Sequence, residues 1–427
     1  MHDIRRIREF AEDVRAALAL KNFDADVDGV LKLDGKWREL TKEADDLKAD
    51  LNRASKAIGE AKKAGRDAAQ EMDEARKIRE RAAQIDDEKR EVRQQIDAIL
   101  LEWPNEPESA APKGKNAEEN VVARQEGKIP QFDFPLQDHL ALAEGLGILD
   151  MPAGAKLTGT GWPVYVGAGA ALERALINFM LDTQTREHGY TELIVPLVVN
   201  RETATGTGQL PKFEDDLYRI ESEDFFLIPT AEVPVTNLHA GEILEASDIP
   251  KKYCAYTACF RREAGAHGQD THGLRRVHQF NKVELVQVVD PETSPAAQLE
   301  ILSHAEAILN KLEIPYRIVD LCTGDLSFGA ARCFDIEIWA PGSDAWLEAS
   351  SVSNFGDFQS RRMNLRFRRD KGSKPEYPHT LNGSGLATSR LMVAMLELYQ
   401  TPEGRIRIPK PLQPYLGGVD QITGVSL

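Results

Sequence analysis

The sequence predicts an α+β protein in two parts, an N-terminal antiparallel two-helix coiled-coil arm and a larger mixed domain of strands and helices. Three observations predict it. Apolar residues recur in steps of three and four over two matched stretches, 30–61 and 75–103. A segment rich in Pro, Gly, Glu, Asn and Lys follows at 105–130. Beyond it, short β-type runs alternate with helical ones. A chain of 427 residues with 42% hydrophobic content can bury a large core and hold more than one domain.

In chain order, Ile4, Ile7, Phe10, Val14 and Leu18 follow helical spacing over residues 4–23. The arm comes next: Val30, Leu33, Trp37, Leu40 and onward to Ala61, then Ala75, Ile78, Ala82, Ile85 and onward to Trp103. The single break, at Lys62-Lys63-Ala64-Gly65, marks the turn of a hairpin. Each helix should span on the order of 50 Å at 1.5 Å per residue. Residues 27–103 carry 17 Lys/Arg against 19 Asp/Glu, the balance of any solvated coiled coil. The tip differs, with Arg53, Lys56, Lys62, Lys63 and Arg66 facing Glu60 alone. On charge alone a soluble tip is the simpler reading, and a grip on a phosphate backbone stays open.

Trp103-Pro104 ends the arm, since Pro cannot continue a helix. The expected divisions are an arm at 1–104, a linker at 105–130 and a mixed domain at 131–427. In that domain Ala170–His188 reads as an amphipathic helix ended by Gly189. Thr191–Val199 reads as a strand interrupted by Pro196, at an edge or an interface. Further strands are expected around Phe225–Ile228, Tyr253–Phe260, Val283–Val289, Arg317–Val319 and Cys333–Trp339, with a helix over 296–312.

Composition excludes several classes. No apolar run approaches the ~20 residues of a membrane helix, and MHDIRRIREF lacks the apolar core of a signal peptide, so a cytoplasmic protein is expected. Cys254, Cys259, Cys322 and Cys333 show no CxxC pairing and read as buried thiols. A net charge of −16 argues against a generally sticky nucleic-acid surface, so any such contact must be a local patch. There is no GxGxxG and no GxxxxGK[ST]. A nucleotide would have to be held by side-chain arginines and a metal.

Candidates for that work sit in FRREAGAHGQDTHGLRRVHQFNKVE, Phe260 to Glu284, read as two strands joined by a long loop. Arg261 and Glu263 are two apart and should share a strand face, as should Phe280 and Glu284. A surface hairpin with cross-strand ion pairs reads equally well from these residues alone. In LNGSGLATSRLMVAMLE a Gly-Ser-Gly turn should lead into a helix that carries Arg390 early. Glu348 follows a strand-like run and is placed for a divalent metal or a nucleotide. Thr230-Ala231-Glu232 adds a hydroxyl and a carboxylate.

HGYTELIVPLVV, FRREAG…RRVHQFNKVELV and GSGLATSRLMVAMLE resemble, in order, motifs 1, 2 and 3 of the class II aminoacyl-tRNA synthetases. With TAEVP, EASSVSNFGDFQSRR and the coiled-coil hairpin, the chain resembles the bacterial type of the seryl-tRNA synthetase family from Met1 through RIPKPLQPYLGG. The resemblance implies an antiparallel catalytic sheet flanked by helices, and ATP-dependent, AMP-forming serine–tRNA ligation. It implies a serine pocket of Thr230, Ala231, Glu232, Arg261, Glu284 and Ser384. ATP would meet Arg261, Arg262, Glu263, Val277, Phe280, Glu348, Ala349, Ser350, Ser351 and Arg390, with Mg²⁺ on Glu348 and the phosphates. The acceptor would be tRNA(Ser), with tRNA(Sec) left open as a second one. The arm, through Arg53, Lys56, Lys62, Lys63 and Arg66, would lie along the long variable arm of the tRNA. A homodimer through motif 1, with Pro196 at its interface, is implied as well.

The chain departs from the family at Arg262, where a small residue is usual, and at Gln269 and His272, where arginines are usual. These changes bear on tRNA acceptor contacts and leave adenylate chemistry alone; strand alternation would turn Arg262 away from the ligand face. Two other functions are weighed. A ligase charging a carrier protein would lack the arm, and a decayed RNA-binding scaffold would not retain Arg261, Glu263, Glu284, Glu348 and Arg390 together.

Overall fold

The computed structural model describes residues 1–263 and 272–426. The chain forms two compact units, Met1–Ala19 with Phe23–Trp103, and Leu20–Asn22 with Pro104–Leu427.

In the first unit the stretch 4–23 is two short helices, α1 (Ile4–Glu9) and α2 (Ala11–Ala19), broken at Phe10. Phe10 is 49% exposed, so it leaves the apolar stripe it was expected to join. The long helices are α3 (Val27–Lys63) and α4 (Ala69–Leu101). Asp26 caps α3 by accepting the Gly29 N–H. Between the two, Gly65 takes a φ of 66°, which glycine adopts without strain. Ile7, Val14, Leu18, Val30, Ile85 and Ile96 bury one continuous core at the base. One polar group enters it: Asp34, 4% exposed, receives two hydrogen bonds from the Arg8 guanidinium at 2.8 and 2.9 Å.

The second unit is built on one eight-stranded sheet. Its strands are β1 (Val121–Glu126), β2 (Thr191–Leu193), β3 (Lys251–Phe260), β4 (Gln279–Val289), β5 (Tyr316–Asp320), β6 (Arg332–Ala340), β7 (Ala345–Asn354) and β8 (His379–Ala387). Their order is β1-β5-β6-β7-β8-β4-β3-β2, antiparallel throughout except for the parallel β2–β3 pair. Helices α6 (Ala168–Arg186), α7 (Ser294–Lys311) and α8 (Thr388–Leu398) bury their apolar faces against it, and α5 (His139–Leu146) packs on α8. The α+β class and the antiparallel sheet flanked by helices are as expected.

Three local expectations are corrected. The stretch 105–130, read as a linker from its polar composition, contains β1, which pairs with β5 at the sheet edge. Thr191–Val199 is not one strand: β2 joins the large sheet while Val198–Asn200 pairs with Phe225–Leu227 in a separate small sheet. Gly383-Ser384-Gly385 is no turn but the middle of β8. A Cβ at Gly383 would stand 2.4 Å from Ile301 of α7, so this glycine exists to let helix and sheet approach. The thiols Cys254, Cys259, Cys322 and Cys333 are free and buried. Among the described residues no helix is long and apolar enough to cross a membrane.

Candidate active site

Period-two alternation along β4 sets Phe280, Lys282 and Glu284 on one face, and all three line a cavity of about 740 Å³. The opposite face packs inward: Val283 and Leu285 enter the helix core, and Asn281 donates to Glu173 on α6 at 2.9 Å. β8 lies alongside with Ser384 in register with Glu284.

One end of the cavity collects carboxylates. Glu284, 1% exposed, accepts from the Thr230 hydroxyl at 3.2 Å and meets the Lys282 ammonium at 2.5 Å. Glu232 accepts from Gln359 Nε2 at 2.7 Å, and Gln359 Oε1 accepts in turn from Thr380 at 2.7 Å. Burial, and next the charge of Glu284, push the Glu232 carboxyl up to about 7. With both carboxyls ionised, the one ammonium here does not balance them, so this end favours a cationic ligand group.

The other end is cationic and aromatic. Arg261 stands with its guanidinium carbon 5.2 Å from the centre of the Phe280 ring. Arg390, at the start of α8, donates to the backbone carbonyl of Glu348 at 2.5 Å and lies 3.5 Å from its carboxylate. Glu263 is ion-paired with Arg276. Val277, Ala349, Ser350 and Ser351 complete the lining, and the Ser350 hydroxyl donates to the Ser384 carbonyl at 2.6 Å.

The segment between β3 and β4 is held where it returns. Buried His139 accepts the Leu274 N–H on Nε2 at 3.2 Å and faces the Glu397 carboxylate through Nδ1 at 3.0 Å. Nε2 therefore carries no proton and Nδ1 does.

Of the residues expected to bind serine or ATP, the cavity brings together Thr230, Glu232, Arg261, Glu263, Val277, Phe280, Glu284, Glu348, Ala349, Ser350, Ser351, Ser384 and Arg390. Two are not on its wall. Ala231 is fully buried, and Arg262 is absent from the lining, its backbone N–H donating to the Asp216 carbonyl at 3.1 Å. Arg261 and Glu263 reach the cavity, but not by sharing a strand face, because β3 ends at Phe260 and Glu263 has a φ of 52°. His272 lies 3.2 Å from Asp138, and Gln269 lies outside the described residues. Arg53, Lys56, Lys62, Lys63 and Arg66 are exposed at the tip of the arm, with Arg53 ion-paired to Asp50. Lys282 and Gln359 escaped the sequence reading. Lys282 stands two residues from both Phe280 and Glu284, a spacing that marks it for the same face.

Among the described residues no group of three or more His, Cys, Asp or Glu side chains could hold a metal. Glu348 and Ser351 nonetheless offer hard oxygen donors beside Arg390 in the cavity wall, which fits an ion carried mainly by phosphates.

A deep pocket on an antiparallel sheet, carboxylates at one end and arginines with an aromatic ring at the other, defines a class II aminoacyl-tRNA synthetase core. The family model "tRNA synthetase class II core domain (G, H, P, S and T)" matches residues 212–399, and "Seryl-tRNA synthetase N-terminal domain" matches residues 1–107. The serine–tRNA ligase of Chlorobaculum parvum is 50% identical over 424 residues, 98% of this chain and 99% of the relative. That of Citrifermentans bemidjiense is 51% identical over 423 residues, 99% of this chain and 100% of the relative. The crystal structure of seryl-tRNA synthetase from Pyrococcus horikoshii complexed with ATP superposes with a TM-score of 0.92 at 38% identity, covering 99% of each chain. The cytoplasmic serine–tRNA ligase from Naegleria fowleri in complex with AMP gives 0.87 at 29% identity, over 99% of this chain and 98% of that one. The chain belongs to the seryl-tRNA synthetase family.

Proposed function

We propose that this protein activates L-serine with ATP and transfers the seryl group to the 3′ end of tRNA(Ser). The observation that carries the proposal is the polarity of the cavity. Serine brings an ammonium, a hydroxyl and a carboxylate. The ammonium is the cation that lets Glu232 ionise beside Glu284 and Lys282. Thr230 and Glu232 receive it, Glu284 and Ser384 meet the hydroxyl, and Arg261 holds the carboxylate. Arg261 also faces the α-phosphate, Arg390 faces the γ-phosphate, and the adenine stacks on Phe280 between Val277 and Glu263.

The chemistry is two displacements. A serine carboxylate oxygen attacks the α-phosphorus and the bond to pyrophosphate breaks, giving seryl-adenylate. A terminal ribose hydroxyl of the tRNA then attacks the seryl carbonyl, and AMP leaves. No protein nucleophile is needed; the residues position the reactants and neutralise developing charge. Glu348 and Ser351 would help hold Mg²⁺ arriving with the phosphates, and the ion would supply further charge neutralisation on the triphosphate.

The same reading assigns tRNA phosphate contacts to the arm tip and a homodimer to the motif 1 region. Support for the dimer is an uncovered apolar edge beside Pro196, where Ile194 is 95% exposed, Tyr256 41% and Leu197 39%. Four free, buried thiols suit a reducing compartment, here the cytoplasm.

Serine-dependent ATP–pyrophosphate exchange tests activation, and aminoacylation of tRNA(Ser), with tRNA(Sec) in parallel, tests transfer. Exchange driven equally by alanine, or absent with serine, would overturn the proposal. A pocket that hydrogen-bonds a hydroxyl should reject the analogue lacking it by about 10⁴-fold.

A further inference from the structure

The wall of the cavity includes a short irregular segment, Ser327–Ala330, of which Ser327, Phe328 and Gly329 face the lumen. It belongs to neither a helix nor a strand, so its carbonyls have no ladder partners. All four are nevertheless satisfied: the Ser327 carbonyl accepts from the Ala330 N–H at 3.3 Å within the segment, and the remaining bonds come from two residues in distant parts of the sequence. The Lys21 ammonium donates to the carbonyls of Ser327 at 2.6 Å, Phe328 at 3.2 Å and Ala330 at 2.9 Å. The Asn105 N–H donates to Phe328 at 2.8 Å, and its Nδ2 donates to Gly329 at 2.9 Å and to Phe355 at 2.8 Å. An ammonium has three donors and an amide nitrogen two, so all three of Lys21 and one of Asn105 are spent on this segment, and the second Asn105 donor on Phe355, which also lines the cavity. Crowding by protein atoms pulls the Lys21 ammonium down to about 7. The three carbonyls act in the opposite sense, favouring the charged form.

What the segment carries lies at the amino-acid end of the cavity. The Phe328 ring packs edge-on against Phe213 and Phe358, both at 5.8 Å, with the Lys212 ammonium 5.2 Å and the Arg362 guanidinium 5.3 Å from its centre. A Cβ at Gly208 would stand 3.5 Å from that ring. The neighbouring Thr207 carbonyl accepts from Gln359, the residue that also holds Glu232.

We propose that Lys21 and Asn105 are positioning residues for serine: together they hold the Ser327–Ala330 wall in the shape that closes the carboxylate end of the cavity. The proposal rests on the seryl-tRNA synthetase reading. It assigns no contact with substrate to either residue. Neither is drawn from the motifs of the core, and they stand just before the first long helix of the arm and just after the second.

The test uses the full chain with Lys21→Met, which keeps the stem and removes the donors, and Asn105→Asp, which sets an acceptor against the carbonyls. Steady-state exchange is measured with serine and ATP varied separately, alongside thermal unfolding. Each variant should raise the KM for serine about tenfold, the scale for leaving a buried acceptor unpaired. The KM for ATP should stay at its wild-type value, and the unfolding midpoint should fall by no more than about 4 °C. A serine KM unchanged in both variants overturns the proposal, and so does a parallel rise in both KM values, which would mean a general loss of structure. If Lys21→Met does not fold, Asn105→Asp alone decides by the same two criteria. A wild-type chain without serine-dependent exchange overturns the underlying reading instead, and this proposal with it.

Discussion

Glu232 enters the neutral range with a carboxyl near half-protonation, because burial and the Glu284 charge lift it to about 7. Only the carboxylate can receive an ammonium. The sign follows: serine binding should strengthen as pH rises through about 7, and kcat/KM for serine should fall by roughly tenfold per pH unit well below it. The same proton affects folding in the other direction. The folded chain keeps it to higher pH than the unfolded chain, so this contribution is complete below the ordinary carboxylate range and lost as pH rises through about 7. A pH profile of kcat/KM in wild type and Glu232→Gln checks the assignment; an unchanged inflection in the variant would remove it. The two arginines should separate kinetically. Arg261, facing charge that reorganises in the transition state, should cost on the order of 10²-fold in exchange kcat on Arg261→Ala. Arg390→Ala should act mainly on the KM for ATP. Phe280 and Glu284 were legible from period two alone. Lys282 obeys the same period but carries no cue that its ammonium meets Glu284. Gln359 becomes part of the site only because its own short helix, β8 and the start of the Glu232–Thr236 helix converge, and sequence spacing does not encode that.

The arm was the most legible element, since apolar residues at steps of three and four admit few other structures. β8 was the least. Its Gly-Ser-Gly reads as a turn in isolation, and only Ile301 of α7, far off in sequence, explains why a strand carries glycine there. β1 was hidden for a different reason: an exposed edge strand has no buried face to write into its composition. At the arm tip, replacing Lys56, Lys62, Lys63 and Arg66 with Gln should weaken tRNA binding and flatten its salt dependence, with exchange unaffected. Arg53→Gln alone should do least, because Asp50 already offsets that charge. Binding isotherms across a salt series measure both effects, and a slope identical to wild type in the multiple variant would place the phosphate contacts elsewhere.

At the scale of the whole molecule, division into two compact units predicts that they fail separately. Excising residues 45–81 and closing the gap with a short Gly-rich turn leaves Ile7, Val14, Leu18, Val30, Ile85 and Ile96 to form the base core. Exchange should then survive while tRNA charging collapses; equal loss of both would mean that the arm supports the catalytic fold. The uncovered edge at Ile194, Leu197 and Tyr256 has another kind of consequence. If a second copy covers it, each folded chain is a ligand for the next, and thermal resistance becomes a matter of mass action. Tenfold dilution should then lower the unfolding midpoint by a reproducible step, and Ile194→Lys should abolish that step and hold the midpoint at its dilute value at every concentration.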